Sequence, residues 1–236
     1  MILRILLAAA LLATPALAVP ARKPAAQATN WVGTVAATPE GGFRIGNPAA
    51  RVKLIEYASL TCPHCRRFHE AAMAPLRAKY VATGKVSYEY RNYVLNGPDF
   101  AASLLARCDG GQAFFARVDT LYRTQEQWTQ PYTTLDQGVA DQLAKLPPEA
   151  QIAGLAKAGG LDGFMAARGM TRPRIAQCLA DKAAQDRLTG IARTASEQYK
   201  ITGTPGFLIN GKLAMAGDKP VSDWASLEPA LIAALR

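Results

Sequence analysis

Cys62 and Cys65, with Pro63 and His64 between them, stand where a strand-like run gives way to a helical period, and that junction restricts the fold more than any other feature of the chain. Arg51 to Ala58 is short and dominated by apolar and β-branched residues, which predicts a strand. From Pro63 to about Ala82, Phe68, Ala72, Leu76 and Tyr80 recur every fourth residue and share one face of a helix. Lys85 to Leu95, carrying Tyr88, Tyr90 and Tyr93, reads as a second strand. Asn96-Gly97-Pro98 breaks the pattern. About a hundred residues of helical texture follow, with apolar stripes at Phe100, Leu104, Leu105 and Cys108 and at Phe114, Phe115, Val118, Leu121 and Tyr122. Strand texture returns at Phe207-Leu208-Ile209; Asn210-Gly211 and then Lys212 to Ala216 make a strong hairpin signal. A last helix is predicted from roughly Ser222 to Leu235. The order β, α, β, helices, β, β, α predicts an α/β domain, residues 43–97 and 197–236, with an all-helical domain, residues 98–196, inserted in it.

The start of the chain carries a different message. Arg4, the apolar stretch Ile5 to Leu12 and the small-x-small run Ala16-Leu17-Ala18 have the order of a secretory signal peptide, predicted over residues 1–18. The apolar stretch falls well short of the roughly 20 residues a spanning helix needs. Residues 19–42, rich in Ala, Pro, Lys, Thr and Gly without a period, read as a loosely ordered N-terminal arm. Export implies an oxidising compartment, yet four cysteines are few for a disulfide-built scaffold. The core must come from packing, which leaves the cysteines free for other work. A formal charge of +9 comes from Lys and Arg scattered among acids and alanines. That describes a solvated basic surface and argues against a nucleic-acid site.

A Cys-x-x-Cys pair can bind zinc, attach haem or cycle between dithiol and disulfide. Zinc usually takes four ligands, but Cys108 and Cys178 stand alone, far apart in sequence, and the chain has only two histidines. Haem attachment needs a histidine directly after the second cysteine, and Arg66 is there. Redox cycling is left, and it calls for no metal or cofactor. Position supports it. At the end of a strand and the start of a helix, Cys62 takes the N-cap and Pro63 the first helical position, where its missing amide is no loss. The amides of His64 and Cys65, and the positive end of the helix, then favour a thiolate at Cys62. His64 adds a dipole or positive charge facing the same sulfur. Stabilising the dithiol in this way makes the disulfide an oxidant.

Cys62-Pro63-His64-Cys65 resembles the active site of the DsbA family, periplasmic oxidases of the thioredoxin superfamily, whose founding member is the standard instance of a low-pKa cysteine and an oxidising disulfide. The resemblance extends from about residue 43 through the helical block to Gly203-Thr204-Pro205-Gly206-Phe207-Leu208-Ile209-Asn210-Gly211. It implies a thioredoxin-like fold. It also implies that Pro205 is cis and lies against the cysteine pair, leaving the Thr204 backbone to pair with an extended substrate whatever its sequence. Glu56, in step with Val52, Leu54 and Ala58, reads either as an edge carboxylate facing water or as a buried acid moving protons for Cys65; the resemblance favours the second. The lysine that often partners such an acid is absent from Val86-Ser87-Tyr88-Glu89-Tyr90. His69 reads as a partly exposed helix histidine without a role. In an oxidising compartment two lone cysteines tend to pair, and some relatives carry such a second bridge, so Cys108 and Cys178 are expected to form a structural disulfide.

The function so implied is a periplasmic thiol:disulfide oxidoreductase that introduces disulfides into unfolded or newly exported polypeptides through Cys62 and Cys65. A membrane partner linked to quinone would reoxidise the pair, on resemblance alone. Two alternatives stay open. One is a disulfide isomerase or reductase on the same fold, favoured by threonine before the proline, although the arm of 19–42 is too short for a dimerisation domain. The other is a periplasmic copper-binding or chaperone module using the thiols as soft ligands.

Overall fold

The structure, a computed structural model, describes residues 29–236; the signal peptide expected over residues 1–18 lies outside the described residues. Strands β1 (Val35–Ala37), β2 (Phe43–Ile45), β3 (Val52–Ala58), β4 (Val86–Asn92), β5 (Gly206–Ile209) and β6 (Lys212–Leu213) form one mixed sheet in the order β1-β2-β4-β3-β5-β6. β3 and β4 are parallel, and parallel neighbours need a crossover. Helix α1 (Pro63–Pro75) and its π-helical continuation Leu76–Val81 supply it. Pro75 has no amide to give the α-helical ladder, and the π-helical stretch begins directly after it. Phe68, Ala72, Leu76 and Tyr80 are buried, so the fourfold spacing marks the face that packs on the sheet.

Alternation along β3 sorts its side chains. Val52, Leu54 and Ala58 join the large hydrophobic cluster with Phe68, Leu76, Leu227 and Leu231. Tyr57, between them, points the other way and packs with Ile191, Ala195, Ile201 and Leu208. The sheet is therefore covered on both sides: by α1 and α10 (Trp224–Leu235) on one, and by α9 (Lys182–Glu197) on the other. Asp223 caps α10 by accepting from the Ser226 amide.

Between β4 and β5 the chain is helical: α2 (Gly97–Arg107), α3 (Gly110–Arg123), α4 (Gln125–Thr133), α5 (Gln137–Ala144), α6 (Pro148–Ala158), α7 (Leu161–Ala166), α8 (Arg172–Leu179) and α9. Asn96 accepts from the Asp99 amide, so the break at Asn96-Gly97-Pro98 is the capped start of α2. Leu104, Leu105, Phe114, Val118, Leu121 and Tyr122 are buried in the same cluster as the strands. Insertion and α/β domain thus share one core. Cys108, after α2, is disulfide-bonded to Cys178 of α8, with Cα atoms 5.7 Å apart. Among the described residues no helix is long and apolar enough to cross a membrane.

Three details depart from the sequence reading. Val35–Ala37, placed in a loose arm, is a strand: β2 pairs with β4 through one edge, and β1 fills the other, Val35 opposite Ile45. The energy of that pairing lies in backbone hydrogen bonds, which composition does not report. The run Lys212 to Ala216 is not one strand. It turns at Ala214, and β7 (Met215–Ala216) pairs with β8 (Lys219–Pro220) in a second small sheet. His69 is buried; its Nε2 lies 3.0 Å from Asp119 Oδ1 and its ring rests against Tyr122.

The disulfide closes a loop spanning 70 residues of sequence. Replacing Cys108 and Cys178 by alanine is expected to lower the unfolding free energy by about 2–4 kcal/mol, because the open chain regains that loop entropy. Urea denaturation measures it; an unchanged midpoint would show that helix packing alone holds the loop.

Candidate active site

β3 ends at Ala58, and Ser59-Leu60-Thr61 carries the backbone to Cys62, the N-cap of α1. This short loop is gripped from the inserted helices. Asp99 Oδ1 accepts from the Leu60 amide at 3.0 Å, and Tyr122 donates its hydroxyl to the Ser59 carbonyl at 3.1 Å. Gln125 Nε2 donates to the carbonyls of Leu60 and Cys62, at 2.8 and 3.0 Å. Asp99 is fully buried; burial pushes its carboxyl up to about 6 against the opposing hydrogen bonds of Ser59, Leu95 and Leu60.

The two sulfurs one turn apart have opposite environments. The Cys62 thiol is drawn down to about 5, first by a hydrogen bond from the Cys65 thiol; burial opposes this, and the Thr204 side chain and the amides of Cys65 and His64 add to it. Cys65, with no exposed surface, is pushed well above the ordinary thiol range, first by burial, then by the hydrogen bond it gives Cys62 and by the nearby charge of Glu56. One sulfur is built to ionise and the other to keep its proton. As a thiol, Cys62 makes no side-chain cap hydrogen bond; Sγ donates to the Thr204 carbonyl at 3.3 Å. The Thr204 hydroxyl is buried without a partner, so it is a donor that the sulfur gains on ionising.

The Thr204–Pro205 peptide is cis. Pro205 and Thr204 line a cavity of ~330 Å³ with His64, Ile201, Leu213 and Val221, beside the cysteine pair. Sequence reasoning turned His64 toward the sulfur. In the structure its ring is exposed and its Nδ1 accepts from Arg67 Nη2 at 2.8 Å, and it is the His64 amide that acts on Cys62.

Glu56 is 2% exposed, on the same face of β3 as Leu54 and Ala58. Burial pushes its carboxyl up to about 8; the Tyr88 hydrogen bond opposes the rise, and the Cys62 charge adds to it. Tyr88 donates its hydroxyl to Glu56 Oε2 at 2.5 Å. The place where a lysine was sought is thus taken by a phenol. Tyr90 and Tyr122, their hydroxyls 2.8 Å apart, form a second buried polar set that reaches the Ser59 carbonyl. Tyr88, Tyr122, Asp99 and Gln125 were missed by sequence reasoning. The alternation Tyr88, Tyr90 on β4 was a usable signal, since in register Leu54 faces Tyr88 and Glu56 faces Tyr90. The other three touch the site only through tertiary contact.

A strand-loop-helix unit with paired cysteines at the helix start, a cis-proline against them and a helical block between the halves defines a thioredoxin-fold dithiol protein. A family profile described as Thioredoxin matches residues 38–227. The chain belongs to that family. It is 34% identical to a protein-disulfide isomerase from Novosphingobium aromaticivorans of known crystal structure, with a TM-score of 0.75 over 82% of this chain and 96% of that one. Its fold is also that of Wolbachia pipientis alpha-DsbA1, at 23% identity and a TM-score of 0.64, over 85% of this chain and 92% of that one. A Rickettsia bellii protein, provisionally named a protein-disulfide oxidoreductase, is 28% identical over 173 residues, 73% of this chain and 58% of its own length. The chain spans about half the length of the curated relatives it matches.

Two titrations follow from these environments. Alkylation of Cys62 by iodoacetamide is expected to rise with pH through a midpoint near 5 and to vanish in Cys62→Ser; a midpoint near 9, the value of a free thiol, would contradict the geometry. For Glu56 the unfolded chain ionises near 4.5 and the folded protein only near 8. Folded protein therefore holds the extra proton across that window, and stability falls as pH rises through it. With Cys62 and Cys65 oxidised, Glu56→Gln is expected to remove this loss and to exceed the parent by about 2–4 kcal/mol at pH 8. Parallel pH profiles in urea denaturation would refute it.

Proposed function

We propose that the protein is a thiol:disulfide oxidoreductase that introduces disulfides into unfolded or newly exported polypeptides in the periplasm. The observation that carries this reading is the unequal pair: Cys62 at the N-cap of α1, its Sγ 3.3 Å from the Thr204 carbonyl of the cis Thr204–Pro205 peptide, beside a Cys65 with no exposed surface.

A substrate thiolate attacks Cys62 Sγ in the Cys62–Cys65 disulfide. The bond between the two sulfurs breaks, a mixed disulfide forms at Cys62, and Cys65 leaves with the electron pair. Cys65 is costly to ionise where it lies, so its departure requires a proton. Glu56, neutral at pH 7 and electrostatically coupled to Cys65, is the acid assigned to supply it. A second thiolate of the substrate then attacks the substrate sulfur of the mixed disulfide, and Cys62 leaves as a thiolate. Two electrons now rest on the dithiol, and the substrate holds a disulfide. The cavity beside Thr204 and Pro205 takes the substrate backbone, with recognition by main-chain pairing. A quinone-linked membrane partner would return the dithiol to the disulfide.

The depressed thiol also sets the direction. Its stabilisation of the reduced protein is complete above the unfolded thiol's value near 9 and is lost as pH falls through about 5. At neutral pH a large part of it is present, which favours the dithiol and makes the disulfide an oxidant.

The name of the Novosphingobium relative, together with Thr204 before the proline, supports a second reading as an isomerase. Equilibration with glutathione buffers separates the two. The oxidase reading expects a potential above about −180 mV, whereas one near thioredoxin's, about −270 mV, would end it. Recovery of scrambled ribonuclease by the reduced protein would favour the isomerase.

A further inference from the structure

The carbonyl of the nucleophile's own residue is held by the inserted helices. Gln125, the first residue of α4, is 5% exposed. Its single Nε2 gives one hydrogen bond to the Leu60 carbonyl at 2.8 Å and another to the Cys62 carbonyl at 3.0 Å. The Cys62 carbonyl also accepts the Arg66 amide at 3.1 Å, the first rung of α1. One amide group therefore bridges the Leu60–Thr61 peptide to the Cys62–Pro63 peptide that begins the helix. The next residue, Glu126, pairs with Arg66 at 2.8 Å on the surface. The first turn of α4 thus meets the first turn of α1 twice, once buried and once exposed.

We infer that Gln125 is a positioning residue for Cys62. The inference rests on the reading of Cys62 as the nucleophile. Fixing the carbonyls on either side of Thr61 leaves Cys62 little freedom in φ and ψ, which stand at −77° and 121°. Those angles place Sγ at the mouth of α1, close to the amides of His64 and Cys65 and to Thr204. Hydrogen bonds weaken steeply with angle, so a small swing of the loop separates the sulfur from several donors at once. The residue type suits the task. A neutral amide offers two protons from one nitrogen, which two carbonyls two residues apart can share. An ionised glutamate offers none, and a methionine of similar volume none. Asp99 and Tyr122 hold the other polar groups of the same loop, at Leu60 and Ser59. Gln125 alone among these three contacts the cysteine's own peptide.

The test compares Gln125→Met with the parent and with Glu126→Gln in the full chain, its Cys108–Cys178 bridge intact. Thiolate absorbance near 240 nm is followed against pH, and the dithiol is equilibrated with glutathione. Gln125→Met is expected to raise the apparent pKa of Cys62 by about one unit, which slows alkylation at pH 4 about tenfold. The glutathione equilibrium is expected to move about tenfold toward the protein disulfide. Glu126→Gln is expected to match the parent in both. If Gln125→Met does not fold, Gln125→Asn carries the same comparison, since it keeps the amide but withdraws it by one methylene. A lowered unfolding midpoint with pKa and equilibrium unchanged would overturn the inference and leave Gln125 a packing residue. A parent Cys62 titrating near 9 would instead remove the redox reading, and this inference with it.

Discussion

Negative charge at the first turn of α1 is the state around which the rest is arranged. A thiolate there is favoured by the Cys65 thiol, by two backbone amides and by the helix itself. It gains all of them only because its neighbour one turn on is buried too deeply to compete for the charge. Neither sulfur has its properties alone. Were Cys65 solvated, it would share the ionisation, and the bias toward the dithiol would shrink.

That burial brings a difficulty with it. In the proposed exchange a sulfur that cannot easily ionise must still act as a leaving group, and a nearby acid that stays protonated at neutral pH would resolve the conflict. Glu56 is such a group because β3 runs through the core with that face covered. An isolated carboxyl so placed would be costly. The Tyr88 hydroxyl provides a neutral donor and adds no charge beside the sulfurs. A lysine would compensate Glu56 by ionising it, and the proton would then sit on the amine. With a phenol as partner, the proton stays on the carboxyl until the pH approaches 8.

The inserted helices bear on this chemistry directly. They bury Leu104, Phe114 and Leu121 in the same cluster as the strands, and they meet the loop before Cys62 through Asp99, Tyr122 and Gln125. A loop leading to a helix start has backbone groups that no strand or helix satisfies, and buried ones require partners. Here side chains of the insertion fill that need. The insertion therefore acts as a wall of the site as well as a cover.

The sequence alone determined those features whose causes are local or periodic. The cysteine pair at a strand-to-helix junction, the fourfold spacing of α1, the Asn-Gly hairpin and the long helical interval each follow from the covalent order of nearby residues. Glu56 was visible as an acid in step with an apolar face, and Pro205 through its resemblance to a known segment. The edge strand Val35–Ala37 escaped because its partner, β2, is supplied by backbone pairing that its side chains do not announce. Tyr88, Asp99 and Gln125 escaped for a related reason: they lie 26 to 63 residues from Cys62 in the chain and meet the site by hydrogen bonds that only packing can close. His64 is the exception, since the group that meets its ring nitrogen, Arg67, is local, one turn further on in α1. That Cys62 is the sulfur favoured to ionise was legible from its place at the helix start; the burial of Cys65 and the contact with Thr204 came only with the tertiary structure, because desolvation is a property of the folded surroundings and not of the residues that are desolvated.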